Sequence, residues 1–187
     1  MPDTISSDVI IKARLGDRSA VTTIYRHFNL RVFRYLYYRV NDLQTAEDLT
    51  SEVFLHMIKA LPNYRQQGVP FQAWLYRIAR NLVIDHNRKN GRFSQVQLPE
   101  NLVAGNPDPL HAAEHQLTVE RLRLALAKLN QEQREVIILR FIACLPISDT
   151  AMVIRKSNDA VKGLQRRGLQ NLRKILNDVE VLHVINR

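Results

Sequence analysis

The chain has 187 residues, 45% of them hydrophobic, enough for one domain or two small ones with real cores. Its net charge of +9 points to a polyanionic partner, and its single cysteine, Cys144, excludes an intrachain disulfide or a cysteine-based metal cluster. No apolar run approaches a membrane span and the N-terminus lacks a basic-then-apolar signal layout, so a soluble cytoplasmic protein is expected.

Strand-like alternation is nearly absent and helical periodicity recurs, so an all-α fold is expected. Residues 7–15 suit a short helix ending at Gly16. Asp17 or Ser19 opens a longer one, with Val21, Ile24, Tyr25, Phe28, Val32, Leu36 and Val40 at helical steps. Its second half interleaves Arg31, Arg34 and Arg39 with aromatics, which either stack on bases or belong to a half-buried helix with snorkelling arginines. Asn41 and Asp42 read as a cap for a third helix, Leu43 to Leu61, stopped by Pro62. Asp42, Glu47, Asp48 and Glu52 make its first half an acidic island in a basic chain. Macrodipole matching explains the acids near the start better than Glu52, two turns in.

After a loop at 62–70, Phe71 to Asn90 form an amphipathic helix. Phe71, Trp74, Leu75, Ile78 and Leu82 make the apolar stripe, and Arg77, Arg80, Asn81 and Arg88 fall together opposite. Taken alone, this is a core helix with a solvated basic face. Residues 93–116 carry prolines, Gly105 and acids without Lys or Arg, a linker composition.

A second helical unit follows. Val119, Leu122, Leu126 and Leu129 share a stripe; Asn130 caps the next helix, which runs to about Ala143. Ser148 can cap a short helix, Asp149 to Ile154, before a last helix reaching about Leu176. In that helix Val161, Leu164, Gly168, Leu172 and Ile175 share one face, with Asp159, Lys162, Gly163, Arg166 and Gln170 opposite. Between Arg155 and Lys174 there are seven basic residues against one acid. This is a helix-turn-helix layout, whose second helix enters a major groove N-terminus first. Gly163 costs roughly 1 kcal/mol against Ala in mid-helix, and close approach of a DNA backbone is a reason to keep it.

Three motifs in order, Glu47 to Leu55, Ala60 to Arg65 and Phe71 to Asn81, resemble region 2 of bacterial sigma factors of the extracytoplasmic-function type. Leu129 to Arg140 and the hairpin to Leu176 resemble region 4 of the same family. The resemblance implies two small helical domains: region 2 at 1–92, a linker at 93–114, and the region 4 helix-turn-helix at 115–187. It implies a transcription initiation factor, not an enzyme, with no cofactor and no metal. The implied partners are core RNA polymerase (through its largest-subunit coiled coil and its flap), promoter DNA and an anti-sigma factor. The matching positions for polymerase are Asp48, Leu49, Glu52, Val53 and Phe54. Those for the −10 element are Gln66, Gln67, Gly68, Arg77, Arg80, Asn81 and Arg88. For the −35 element they are Ser157, Asn158, Lys162, Arg166 and Arg167. The chain departs from the family where Arg155 stands near a turn that commonly holds Gly, and where Asp159 replaces the usual small hydroxyl.

Two other classes fit parts of the chain. A stand-alone DNA-binding regulator leaves the acidic helix unexplained. A metal-dependent nuclease using Asp85, His86, Glu47 and Asp48 places its ligands on two helices without a ligand spacing that joins them.

Overall fold

The computed structural model describes residues 5–40, 42–65, 68–89 and 109–185, among which there are eight α-helices and no strand. The first unit comprises α1 (Ser7–Arg14), α2 (Arg18–Val40), α3 (Leu43–Ala60) and α4 (Phe71–Lys89). The second comprises α5 (Pro109–Ala127), α6 (Gln131–Ile137), α7 (Ile147–Ile154) and α8 (Asn158–Ile185). Helix α6 runs on through a π-helical turn, Ile138–Ile142.

Short polar side chains set the helix starts by accepting from N–H groups that would otherwise lack partners. Asp42 accepts from Thr45 N at 2.7 Å, Asn130 from Gln133 N at 2.9 Å, and Ser157 from Ala160 N at 3.2 Å. Asp17 accepts from the N–H groups of Ser19 and Ala20. Those hydrogen bonds, that to the Ser19 hydroxyl first, hold the Asp17 carboxyl below its ordinary range. Ser6, one residue before the expected start, caps α1.

Two expected boundaries move. Pro146 stands at the N-cap of α7, and Ser148 instead donates its hydroxyl to Asp149 Oδ1 at 3.0 Å. Helix α5 begins at Pro109, inside the stretch expected to be linker. A first-turn proline lacks only an N–H that has no helical partner anyway, so Pro109 starts a helix rather than breaking one. The rest of that stretch, up to residue 108, lies outside the described residues.

Helices α2, α3 and α4 pack on one another with α1 against α2, and α8 packs on α5, α6 and α7. Ile24, Val32, Leu36, Val53, Met57, Leu75 and Val83 fill the first core; Leu126, Val136, Ile138, Leu139 and Val161 fill the second. The expected faces of α8 hold: Val161, Leu164, Gly168 and Leu172 are buried, while Asp159, Lys162, Arg166 and Gln170 are exposed. The two units also meet. Helix α7 lies on α4, and the π-helical turn lies on α2.

Candidate nucleic-acid interface

On α3 the acidic residues and the apolar ones separate cleanly. Asp48 and Glu52 are exposed, whereas Leu49, Val53 and Phe54 are buried. Of the five positions matched to polymerase contact, these three therefore face inward. Ala46, Leu49, Val53 and Met57 step along the side of α3 that fills the bundle core, and the Phe54 ring packs edge-on against Tyr25 at 4.8 Å. They hold the helix in place, and the two carboxylates present its outer surface.

The loop before α4 is pinned by Tyr64, whose hydroxyl donates to Val69 O at 2.9 Å and whose ring lies 4.8 Å from Trp74. Trp74, expected in the core, is half-buried in this aromatic cluster with Tyr64 and Phe71. Gly68 takes φ 79°, the left-handed region that favours glycine. Gln66 and Gln67 lie outside the described residues.

Helix α4 is buried on more sides than a single apolar stripe allows. Besides Phe71 and Leu75, the residues Ala73, Tyr76, Ala79 and Val83 are buried, and Ile78 and Leu82 are half-buried. Of the basic face, Asn81 and Arg88 stay exposed, Arg88 beside Asp85 at 3.2 Å. Arg77 and Arg80 are half-buried because the second unit lies on them. Arg77 Nε donates to Met152 O at 2.9 Å, and Gln72 Nε2 donates to Asp149 Oδ2 at 2.6 Å.

Glu135 is the centre of this contact. It is buried, accepts from the Tyr35 hydroxyl at 2.7 Å, pairs with Arg39 Nη2 at 2.9 Å, and lies 3.9 Å from Arg80 Nε. Its neighbour Arg134 donates to Tyr38 O at the end of α2. Burial, and then the nearby Arg39 cation, push Arg134 down to about 10. Burial first, and the Glu135 carboxylate second, push the Tyr35 phenol well above its ordinary range. So Arg39, one of the expected snorkelling arginines, does not snorkel; it ends inside a polar cluster, with Tyr35, Tyr37 and Tyr38 buried around it. The resemblance did not single out Tyr35, Arg39 or Glu135. A signal was present: Arg134 and Glu135 are adjacent charges directly before the apolar run 136–139, which places them on a side of α6 that has little access to water.

The matched positions Ser157, just before α8, and Asn158, Lys162, Arg166 and Arg167 on it are all exposed. Lys162 Nζ lies 3.0 Å from Asp159 Oδ1, so the unusual acid is partnered on its own helix. Behind this face, Arg140 Nε donates to Gln165 Oε1 and Asn171 Nδ2 to Gln133 Oε1, each at 3.0 Å. Among the described residues no group of three His, Cys, Asp or Glu side chains could hold a metal ion.

The family model for Sigma-70 region 2 matches residues 24–93, and that for Sigma-70, region 4 matches residues 125–174. The chain is 36% identical over 173 residues to the ECF RNA polymerase sigma factor BldN of Streptomyces coelicolor, covering 91% of this chain and 66% of BldN. It is 36% identical over 172 residues to the ECF RNA polymerase sigma factor SigD of Mycobacterium tuberculosis, covering 88% of this chain and 81% of SigD. A structure of CnrH in complex with the cytosolic domain of CnrY has the same fold, with a TM-score of 0.73 at 22% identity over 91% of this chain and 96% of that one.

Proposed function

The chain belongs to the extracytoplasmic-function sigma factors of RNA polymerase, which makes it a promoter-directed transcription initiation factor, and from that premise we propose how its surfaces share the work. Asp48 and Glu52 on α3 bind core polymerase. Helix α4 and the loop before it read and trap the −10 element, with Arg77, Arg80 and Arg88 on phosphates, Asn81 on a base edge, and Gln66, Gln67 and Gly68 framing the opened strand. Helix α8 reads the −35 element through Ser157, Asn158, Lys162, Arg166 and Arg167.

The observation that carries this reading is the exposure of Asp48 and Glu52 on α3, of Asn81 and Arg88 on α4, and of Lys162, Arg166 and Arg167 on α8, over apolar faces that are buried. Initiation involves no bond made or broken by the sigma factor, so no catalytic group is assigned. The protein works in the bacterial cytoplasm, and among the described residues no helix is long and apolar enough to cross a membrane. An anti-sigma factor restrains it; the pairing of CnrH with a cytosolic domain of a second protein supports such a partner.

Transcription from matched duplex and pre-melted bubble templates at one fixed salt concentration tests the division of labour. Lys162→Ala with Arg166→Ala should weaken duplex promoters while leaving the bubble template nearly intact. Asn81→Ala should impair opening and −10 discrimination, with a cost of roughly 1–3 kcal/mol for a lost base contact. Asp48→Lys with Glu52→Lys should reduce polymerase capture with helicity unchanged. Equal failure of both DNA-facing sets on the bubble template overturns the assignment of α8.

A further inference from the structure

We infer that a cleft between α1, α2 and the end of α3 is a binding site for a single-chain carboxylate, the chemistry of a free fatty acid. The cleft encloses about 470 Å³, within the roughly 300–1,000 Å³ of small-molecule sites. Its walls are mostly apolar, with Val21, Ile58, Leu61 and Pro62 facing two cations, Arg14 and Arg18. Apolar side chains are left in water here: Ile58 is 47% exposed, and Leu15, next to Arg14, is 84% exposed. Covering such surface with an alkyl chain is favourable and breaks no hydrogen bond. The volume suits one short chain and not a two-chain lipid.

The charge of the head group follows from what the two arginines lack. Among the described residues neither has a carboxylate partner. The acids of α1 and of the turn after it are engaged elsewhere: Asp8 pairs with Lys12 at 2.9 Å, and Asp17 caps α2. Arg14 Nε is buried with no hydrogen-bond partner among the described residues, a state that polar groups seldom keep. Arg14 stands in the last turn of α1, where a cation suits the helix dipole. Arg18 is the first residue of α2, where the dipole disfavours a cation and no first-turn acid offsets it. Its charge is therefore of no use to its own helix, whereas paired guanidiniums match a carboxylate.

The cleft also borders a working surface. Ile58 continues the exposed side of α3 that carries Asp48, Glu52 and Leu55. An occupant of the cleft therefore competes with core polymerase. This competition rests on the assignment of Asp48 and Glu52 to polymerase; the binding site does not.

The test titrates the full chain, its isoleucine methyl groups isotopically labelled, with decanoate below its micelle concentration. Saturable binding should shift the Ile58 signal and leave that of Ile138, buried in the second unit, unmoved. Arg14→Gln with Arg18→Gln should weaken binding about tenfold or more, as the loss of a charge-assisted hydrogen bond requires. Ile58→Glu, at an exposed position that tolerates change, should weaken it as well, so the result does not hang on the folding of the arginine variant. The absence of saturable binding overturns the inference, and so does unchanged affinity in both variants. Equal binding of decyltrimethylammonium, which has the same chain and the opposite charge, also overturns it. Capture by phosphatidylglycerol vesicles without binding of monomeric decanoate would make this a membrane contact instead. Decanoate should also lower capture of core polymerase by the wild-type chain and not by the arginine variant; undiminished capture at saturation overturns the competition. If Asp48→Lys with Glu52→Lys leaves capture intact, the assignment of α3 is what fails, and the site is decided by the titration alone.

Discussion

Arg155 ends α7 with φ 57° and ψ 49°, a left-handed conformation in which its Cβ crowds the backbone. The turn of the helix-turn-helix needs this conformation from whatever residue stands there, because Lys156 N must reach Ala151 O, at 3.0 Å, to finish α7 before α8 can start. Glycine takes it without strain. Arg155→Gly should therefore raise the stability of the free protein by about 1 kcal/mol, less the extra chain entropy of glycine in the unfolded state. Urea unfolding midpoints at constant slope would show it. A fall in stability would mean that the Arg155 side chain holds the turn by its own contacts. The departure from a glycine at this turn is thus a local strain in an otherwise well-formed hairpin, and not a different motif.

Helix α8 makes the contrast between two glycines instructive. A Cβ on Gly168 would stand 3.0 Å from Ile137 Cγ1 and 3.5 Å from Gln133 Cβ, both on α6. Helices α6 and α8 approach closely there, and a methyl group would press on the Ile137 side chain, so Gly168→Ala should destabilise by roughly 1–3 kcal/mol through overpacking. At Gly163 the nearest atoms belong to the flexible end of Arg167, at 3.5 Å. Nothing within the fold calls for glycine at that position. Gly163→Ala should stabilise the helix by roughly 1 kcal/mol. If the recognition face approaches a DNA backbone at this point, the same change should weaken binding to duplex promoter. Thermal unfolding separates the two substitutions, and duplex titration decides whether Gly163 is kept for DNA. Stabilisation without loss of binding would leave Gly163 with no role in recognition.

At the scale of the whole molecule, the two units meet over a polar cluster that responds to alkali. Burial, then the Glu135 carboxylate, raise the Tyr35 phenol; burial also raises Tyr76, whose ring lies 5.4 Å from that of Tyr35. An acid whose pKa rises on folding contributes fully below its unfolded value, near 10, and loses that contribution as pH climbs above it. Facing Tyr35 are Glu135, which opposes ionisation, and Arg39 and Arg80, which favour it. Stability should therefore fall from about pH 10 upward, with tyrosinate absorbance from these two rings appearing together with unfolding. Tyr35→Phe should lower stability near neutrality by about 1 kcal/mol and flatten the alkaline fall. An early tyrosinate signal equal to all six tyrosines before unfolding would refute the burial of this cluster.

The helices, the caps Asp42 and Asn130 and the faces of α8 were legible in the sequence because each is a short-range matter. Asp42 and Asn130 find their N–H partners three residues on, and a 3.6-residue period sorts Val161 from Lys162 without reference to the rest of the chain. The motifs that identify the family lie within such segments too. The angular reading of α4 was only half sufficient: it put Arg77 and Arg80 opposite Phe71 and Leu75, but a helical wheel cannot tell a side facing water from one facing another unit. In the same way Leu49, Val53 and Phe54 sit in a motif with Asp48 and Glu52, yet only packing against the bundle assigns the first three to the core and leaves the acids outside. Tyr35 and Glu135 stand 100 residues apart, Gln72 and Asp149 stand 77 apart, and Arg77 and Met152 stand 75 apart. No local pattern records such pairs, since each residue alone looks like an ordinary member of its own helix. What the tertiary structure decided is that the charged groups of one unit satisfy the other, because a buried charge must be paired and the paired groups lie far apart in the chain.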